Sequence, residues 1–119
     1  MELSTIVEAG QEIVVVDFSN CKEQQMIDLL SDFRKKVISG GKPVLALAIF
    51  NEHSYFTARF MRSFESDNRQ EVIPFIRKQA LVGISDTKRS IIMGYNQFYN
   101  RDIRIFDAKA EALAFLVSE

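Results

Sequence analysis

The sequence predicts a single α/β domain, spanning residues 1–119, with a mixed, mostly parallel sheet of about five strands flanked by four helices. Short β-branched runs alternate with stretches whose apolar residues recur at helical spacing, the pattern of strand-helix-strand units. Two of the runs, "EIVVVDF" and "PVLALAIF", lack polar alternation, as strands covered on both faces do. The chain has 119 residues, 47% hydrophobic and 26% charged, which suits one core and leaves no room for a second.

The elements follow in order. "LSTIV" reads as a weak first strand, turned at Gly10 into "EIVVVDF" as a hairpin. Asn20 with Glu23 three residues on resembles a capping box, opening a helix through Met26, Ile27, Leu30, Phe33 and Val37 that Gly40-Gly41 ends. "PVLALAIF" is the next strand, with Pro43 at its first position. "SYFTARFMRSFESDNRQE" places Phe56, Phe60 and Phe64 on one face of a second helix, which Pro74 keeps from continuing. "QALVGI" is a further strand. Ser85 or Asp86 caps a third helix with Ile91, Ile92, Tyr95, Phe98 and Tyr99 on one side, "IRIF" is the last strand, and Asp107 caps a final helix through Leu113 and Val117.

Composition excludes several functions. The formal net charge is −1, and the split is mild: 5 basic against 8 acidic residues through Tyr55, 10 against 8 after it, or −3 and +2. That does not fit a nucleic-acid binder. A single cysteine, Cys21, forbids an internal disulfide and a cysteine zinc site. The N-terminus has no basic and apolar secretion pattern, and no apolar run is long enough to span a bilayer, so a soluble cytoplasmic protein is expected.

In an open α/β sheet, ligands sit where strands end and helices begin, which directs attention to "DFSN", "NEHSYFT" and "GISDTK". The middle loop carries Asn51, Glu52 and His53, the one histidine, beside Ser54. Neighbours in sequence do not predict triad geometry, so His53 reads as a solvated loop residue rather than a catalytic one. Scattered acids around a lone histidine do not make a metal site. "GISDTK", with Ser85, Asp86, Thr87 and Lys88, lacks both the Walker and the multi-glycine patterns and reads as a capping turn, Gly83 permitting close packing. Asp17 lacks the acidic neighbour a magnesium-bound phospho-acceptor requires, and Cys21 lies where a helix N-terminus could lower its thiol pKa. Met61, Met93 and Phe115 fall at the edges of their apolar stripes and could mark a partner surface. No cofactor is expected.

"ALVG" at Ala80–Gly83, "RIF" at Arg104–Phe106 and "AEALAFL" at Ala110–Leu116, preceded by "IVVVDFSNCKEQQMIDLL" and "GKPVLALAIF", form a recognisable succession. It resembles the SpoIIAA-like group of STAS/SEC14-type domains, small bacterial proteins, along nearly the whole chain. The resemblance implies a STAS-like fold and no enzymatic activity. Anti-sigma factor antagonists of the STAS class carry a phosphorylatable serine in an Asp-Ser-Ser-Gly-like loop before the second helix. Here that loop looks like "NEHSYFT", without the Asp-Ser pair or the glycine, so Ser54 or Thr57 stands in as acceptor. The SEC14 side implies lipid carriage, for which so short a chain has little spare volume.

The expectation is therefore a non-enzymatic regulatory or protein-binding module using loops 51–57 and 85–88 against an unidentified protein partner, with a homodimer through a helix face or sheet edge also compatible. The alternative is a small anionic or lipid-like ligand in the crevice between those loops, drawn by Lys88 and Arg89.

Overall fold

The computed structural model describes residues 2–66 and 72–118. Strand β1 (Glu2–Glu8) pairs antiparallel with β2 (Gln11–Asp17), and β3 (Val44–Ile49), β4 (Ile76–Val82) and β5 (Ile103–Phe106) add in parallel, in the order β1-β2-β3-β4-β5. Helices α1 (Glu23–Gly40), α2 (Ala58–Ser66) and α3 (Asp86–Tyr99) occupy the connections, a 3-10 turn at Ile73–Phe75 precedes β4, and α4 (Lys109–Val117) follows β5. The hairpin turns at Ala9 and Gly10, both at positive φ (51° and 76°), as a two-residue connection matched to strand twist requires.

Period-2 alternation sorts the strands into two cores. Val14, Val16, Ala46, Ala48 and Leu81 face α1, α2 and α3, while Ile13, Val15, Leu45, Leu47, Ala80 and Val82 face Ala112 and Leu116 of α4. Sequential strand order explains the asymmetry. Crossovers of one hand that always step the same way put every connecting helix on one face, and only the helix after the last strand can cover the other. The three-helix face is rich in phenylalanine: Phe18, Phe50, Phe56, Phe60 and Phe64 form a chain of ring contacts with centroids 5.0–6.4 Å apart. An apolar cavity of about 20 Å³ lies among them, room for a water rather than a lipid tail.

Several expected boundaries shift. Residue 22, not Asn20, is the N-cap of α1, and Gln25 Oε1 accepts the Lys22 N–H at 2.8 Å; Asn20 is instead left-handed (φ 60°) and bonds to a distant loop. The C-terminal end is as expected, with Gly41 left-handed at φ 65°. Strand β3 begins after Pro43, and β4 starts three residues earlier than "QALVGI". Phe56 precedes α2 rather than lying within it, and the expected extension of that helix over 67–71 lies outside the described residues. Ser85 caps α3, and Asp86 is its first residue. Asp107 does not cap α4, whose N-cap is Ala108; its carboxylate binds Arg89 of α3. The α3 stripe is narrower than its spacing implies: Ile92 and Tyr95 are buried, whereas Ile91 and Phe98 are exposed, because they border an open groove between α2 and α3. Of the three edge positions, Met93 is exposed, Phe115 half-buried and Met61 buried on the inner face of α2.

Candidate functional site

Three loops meet at the carboxyl ends of the parallel strands, held by short polar side chains. After β2, Asp17 Oδ1 accepts the Ser19 N–H at 2.9 Å, an Asx turn that redirects the chain toward α1. After β3, Asn51 acts as a hub. Its Oδ1 accepts the backbone N–H of Asn20 (3.0 Å) and of His53 (3.1 Å), and its amide donates to Asn20 Oδ1 at 2.9 Å. Ser54 Oγ accepts the Asn51 N–H at 3.0 Å and donates to the Phe18 carbonyl at 2.8 Å, while Tyr55 N–H donates to the Cys21 carbonyl at 3.0 Å. The first two loops are thereby stitched into one surface across 31–36 residues of sequence.

The third loop is fixed by contact. Gly83 sits at φ 86°, and a Cβ there would lie 1.9 Å from the Phe50 carbonyl oxygen, so only glycine fits. Ser85 Oγ accepts the Lys88 N–H at 3.4 Å. Lys88 reaches back across the junction: its Nζ donates to the Phe56 carbonyl at 2.9 Å and lies 5.4 Å from the Phe56 ring centroid.

Between the second and third loops opens a crevice of about 410 Å³, lined by Phe50, Phe56, Gly83 and Ile84 together with Asn51, Glu52, Ser54, Ser85 and Lys88. Five of the anticipated polar residues thus meet there. The others do not line it. His53 projects into solvent beside Glu52, at 3.4 Å. Asp86 and Thr87 are exposed on the first turn of α3. Thr57 caps α2, accepting the Phe60 N–H at 3.2 Å. The influence of its hydroxyl, together with Arg59 at 3.2 Å, holds the Glu23 carboxyl below the usual glutamate range. Arg89 is bound to Asp107 and lies 3.4 Å from Asp86, so it is not directed at the crevice.

No nucleophile is paired with a base here. Cys21 is buried, and burial, with the nearby Asp17 carboxylate adding to it, pushes its thiol pKa up. Among the described residues, no cluster of three or more histidine, cysteine or acidic side chains could hold a metal.

With this geometry the chain can be set beside known proteins. A crystal structure of an uncharacterized protein of the DUF3478 family with a SpoIIAA-like fold, from Shewanella loihica PV-4, superposes at a TM-score of 0.61 over 97% of this chain and 92% of that one, at 13% identity. This chain has the SpoIIAA-like fold. At that identity the likeness concerns architecture alone. No family model and no curated protein matches the chain. Among the described residues no helix is long and apolar enough to cross a membrane.

The sequence did not disclose Asn20 and Asn51 as partners, since nothing local pairs residues 31 apart. The positive-φ propensity of asparagine at a strand-to-helix turn was the available signal.

Proposed function

We propose that this SpoIIAA-like chain is a non-catalytic regulatory module that binds a protein partner through the surface formed by loops 18–22 and 51–57. One observation carries the reading: a loop laced by the side-chain bonds of Asn51 and Ser54 holds Tyr55 54% exposed, beside the exposed Glu52 and His53. A rigid loop loses little entropy on binding, and an exposed tyrosine is a frequent anchor of protein interfaces. Phosphorylation of either candidate hydroxyl bears on the same network. Ser54 would give up its bond to the Phe18 carbonyl, and a phosphate on Thr57 would face the Glu23 carboxylate.

The test is a pull-down from the source cells with wild type, Tyr55→Ser and, on a distant helix, Phe98→Ser. A partner held by wild type and Phe98→Ser but lost by Tyr55→Ser is expected. Identical captures with all three would sink the proposal.

The crevice favours a second reading, a small ligand seated on Phe50, Phe56 and Ile84. Lys88 already serves the Phe56 carbonyl, which argues for an uncharged or weakly polar guest rather than the anion its charge would draw. Thermal-shift screening separates the two: a ligand that stabilises wild type but not Ile84→Ala would favour the crevice.

A further inference from the structure

The opposite end of the sheet carries a concentration of charge that the loop surface does not use. Where β4 and β5 begin, a cleft of about 420 Å³ is lined by Arg77, Lys78, Arg101 and Arg104, with Asp102 the one acid among its lining residues. Four cations against one anion leave a local excess of three in a chain whose net charge is −1. Asp102 is already taken. Arg104 Nε and Nη2 contact its two oxygens at 2.9 and 3.2 Å, which holds the carboxyl below its ordinary value. Among the described residues, Arg77, Lys78 and Arg101 contact no carboxylate. Like charges gathered in a concavity repel one another, and a bound anion would relieve that repulsion.

Two features aim these groups. Gln79, only 9% exposed, presents Oε1 to Arg101 Nη2 at 3.1 Å and so fixes the guanidinium from beneath, leaving its other donors toward the cleft. Val44 pairs with Ile76 and Leu45 with Lys78, which makes Arg77 the extra residue of a bulge. Bulges re-aim side chains, and are frequent beside binding sites. Lys78 contributes charge without free donors: its Nζ serves the carbonyls of Phe115 (3.1 Å) and Ser118 and the Ser118 hydroxyl (3.1 Å). Phe115, beneath Lys78 and Arg104 at 5.1 and 5.3 Å, supplies an apolar wall.

We propose that this rim cleft binds a small molecule through a phosphate group, held by the guanidinium forks of Arg77 and Arg101 in the field of Lys78 and Arg104, with its carbon portion against Phe115. Planar guanidinium forks match tetrahedral oxyanions, and the cleft is larger than a bare ion fills. The site is independent of the loop surface, from which the length of β4, roughly 20 Å at the strand rise, separates it.

The experiment is an amide NMR titration of the whole chain with inorganic phosphate and with glycerol phosphate, ionic strength held constant with sodium chloride. Saturable shifts confined to residues 76–79 and 101–104 are expected. Tighter binding of the ester identifies a phosphorylated molecule as ligand, and equal binding identifies the free ion. Arg77→Gln should weaken binding about tenfold without unfolding the chain, and Arg101→Lys, which keeps the charge and loses the fork, should weaken it by a similar factor. Shifts that fail to saturate, that spread equally to Lys35 and Lys36 on α1, or that persist unchanged in both variants would overturn the proposal.

Discussion

Two buried or half-buried carboxamides organise opposite ends of this sheet. At the strand-finishing end, Asn51 faces another asparagine and backbone amides, and the donors and acceptors it meets are matched in kind. At the strand-starting end, Gln79 faces Arg101, one acceptor against a group with five N–H donors. The first arrangement closes on itself and stabilises the loops. The second leaves donors over and stabilises little. Polar networks that are satisfied internally belong to the fold, and those left with surplus charge are available to something else.

Substitutions should therefore divide by end. The largest effect belongs to Gly83→Ala, where the new Cβ would meet the Phe50 carbonyl at 1.9 Å. Separating β4 from β3 to admit it should cost about 4 kcal/mol, read as a large fall in denaturant midpoint. Asn51→Ala comes next. It strands the amides of residues 20 and 53, and about 2 kcal/mol should be lost in the same assay. If Asn51→Ala proved neutral, the idea of a loop end held by its own network would fail.

Thr57→Ala sharpens the comparison on a smaller scale. Loss of the α2 cap should cost about 1 kcal/mol. The Glu23 carboxyl, now held low by Thr57 and Arg59, should move back up toward the ordinary glutamate range in a side-chain NMR titration. The sign follows from linkage. A depressed folded-state pKa stabilises above the unfolded value, and that contribution disappears as pH falls through the folded value, so wild type should lose this contact only in acid below the ordinary glutamate range. An unchanged Glu23 titration in the variant would remove Thr57 from its environment. The smallest effect is expected at the other end: Arg77→Gln, in the absence of any anion, should change stability by less than about 0.5 kcal/mol in either direction. A loss as large as that of Asn51→Ala would erase the distinction between the two ends.

What could be read from the sequence was whatever depends on near neighbours. Alternating and unbroken apolar runs located the strands, Gly10 the hairpin and Gly41 the end of α1, because each reflects backbone preference over a few residues. Helix caps moved by one or two positions where tertiary bonds outweighed local capping. Asn20 left the cap to bind Asn51, and Asp107 left it for Arg89. The crevice was anticipated in outline, since five of its polar residues lie on loops that parallel strands must bring together. Its stiffness was not, because Ser54 to Phe18 and Asn51 to Asn20 are contacts at a distance. The basic rim left only a faint trace, the +2 balance after Tyr55, as its four cations come from two segments that converge only when β5 adds beside β4.

The sequential strand order has a consequence for how the chain comes together. Every strand pairs with the one made just before it, so no pairing has to wait for a distant segment to return. The hairpin of residues 2–17 can form alone, and each later unit closes a loop against an edge already present. The interval of greatest risk falls before α4 is made, when Leu45, Leu47, Ala80 and Val82 form an apolar sheet face and Ala112 and Leu116 do not yet exist to cover it. The nine-residue helix α4 thus acts as the seal on a surface that would otherwise attract another copy of the chain still lacking it.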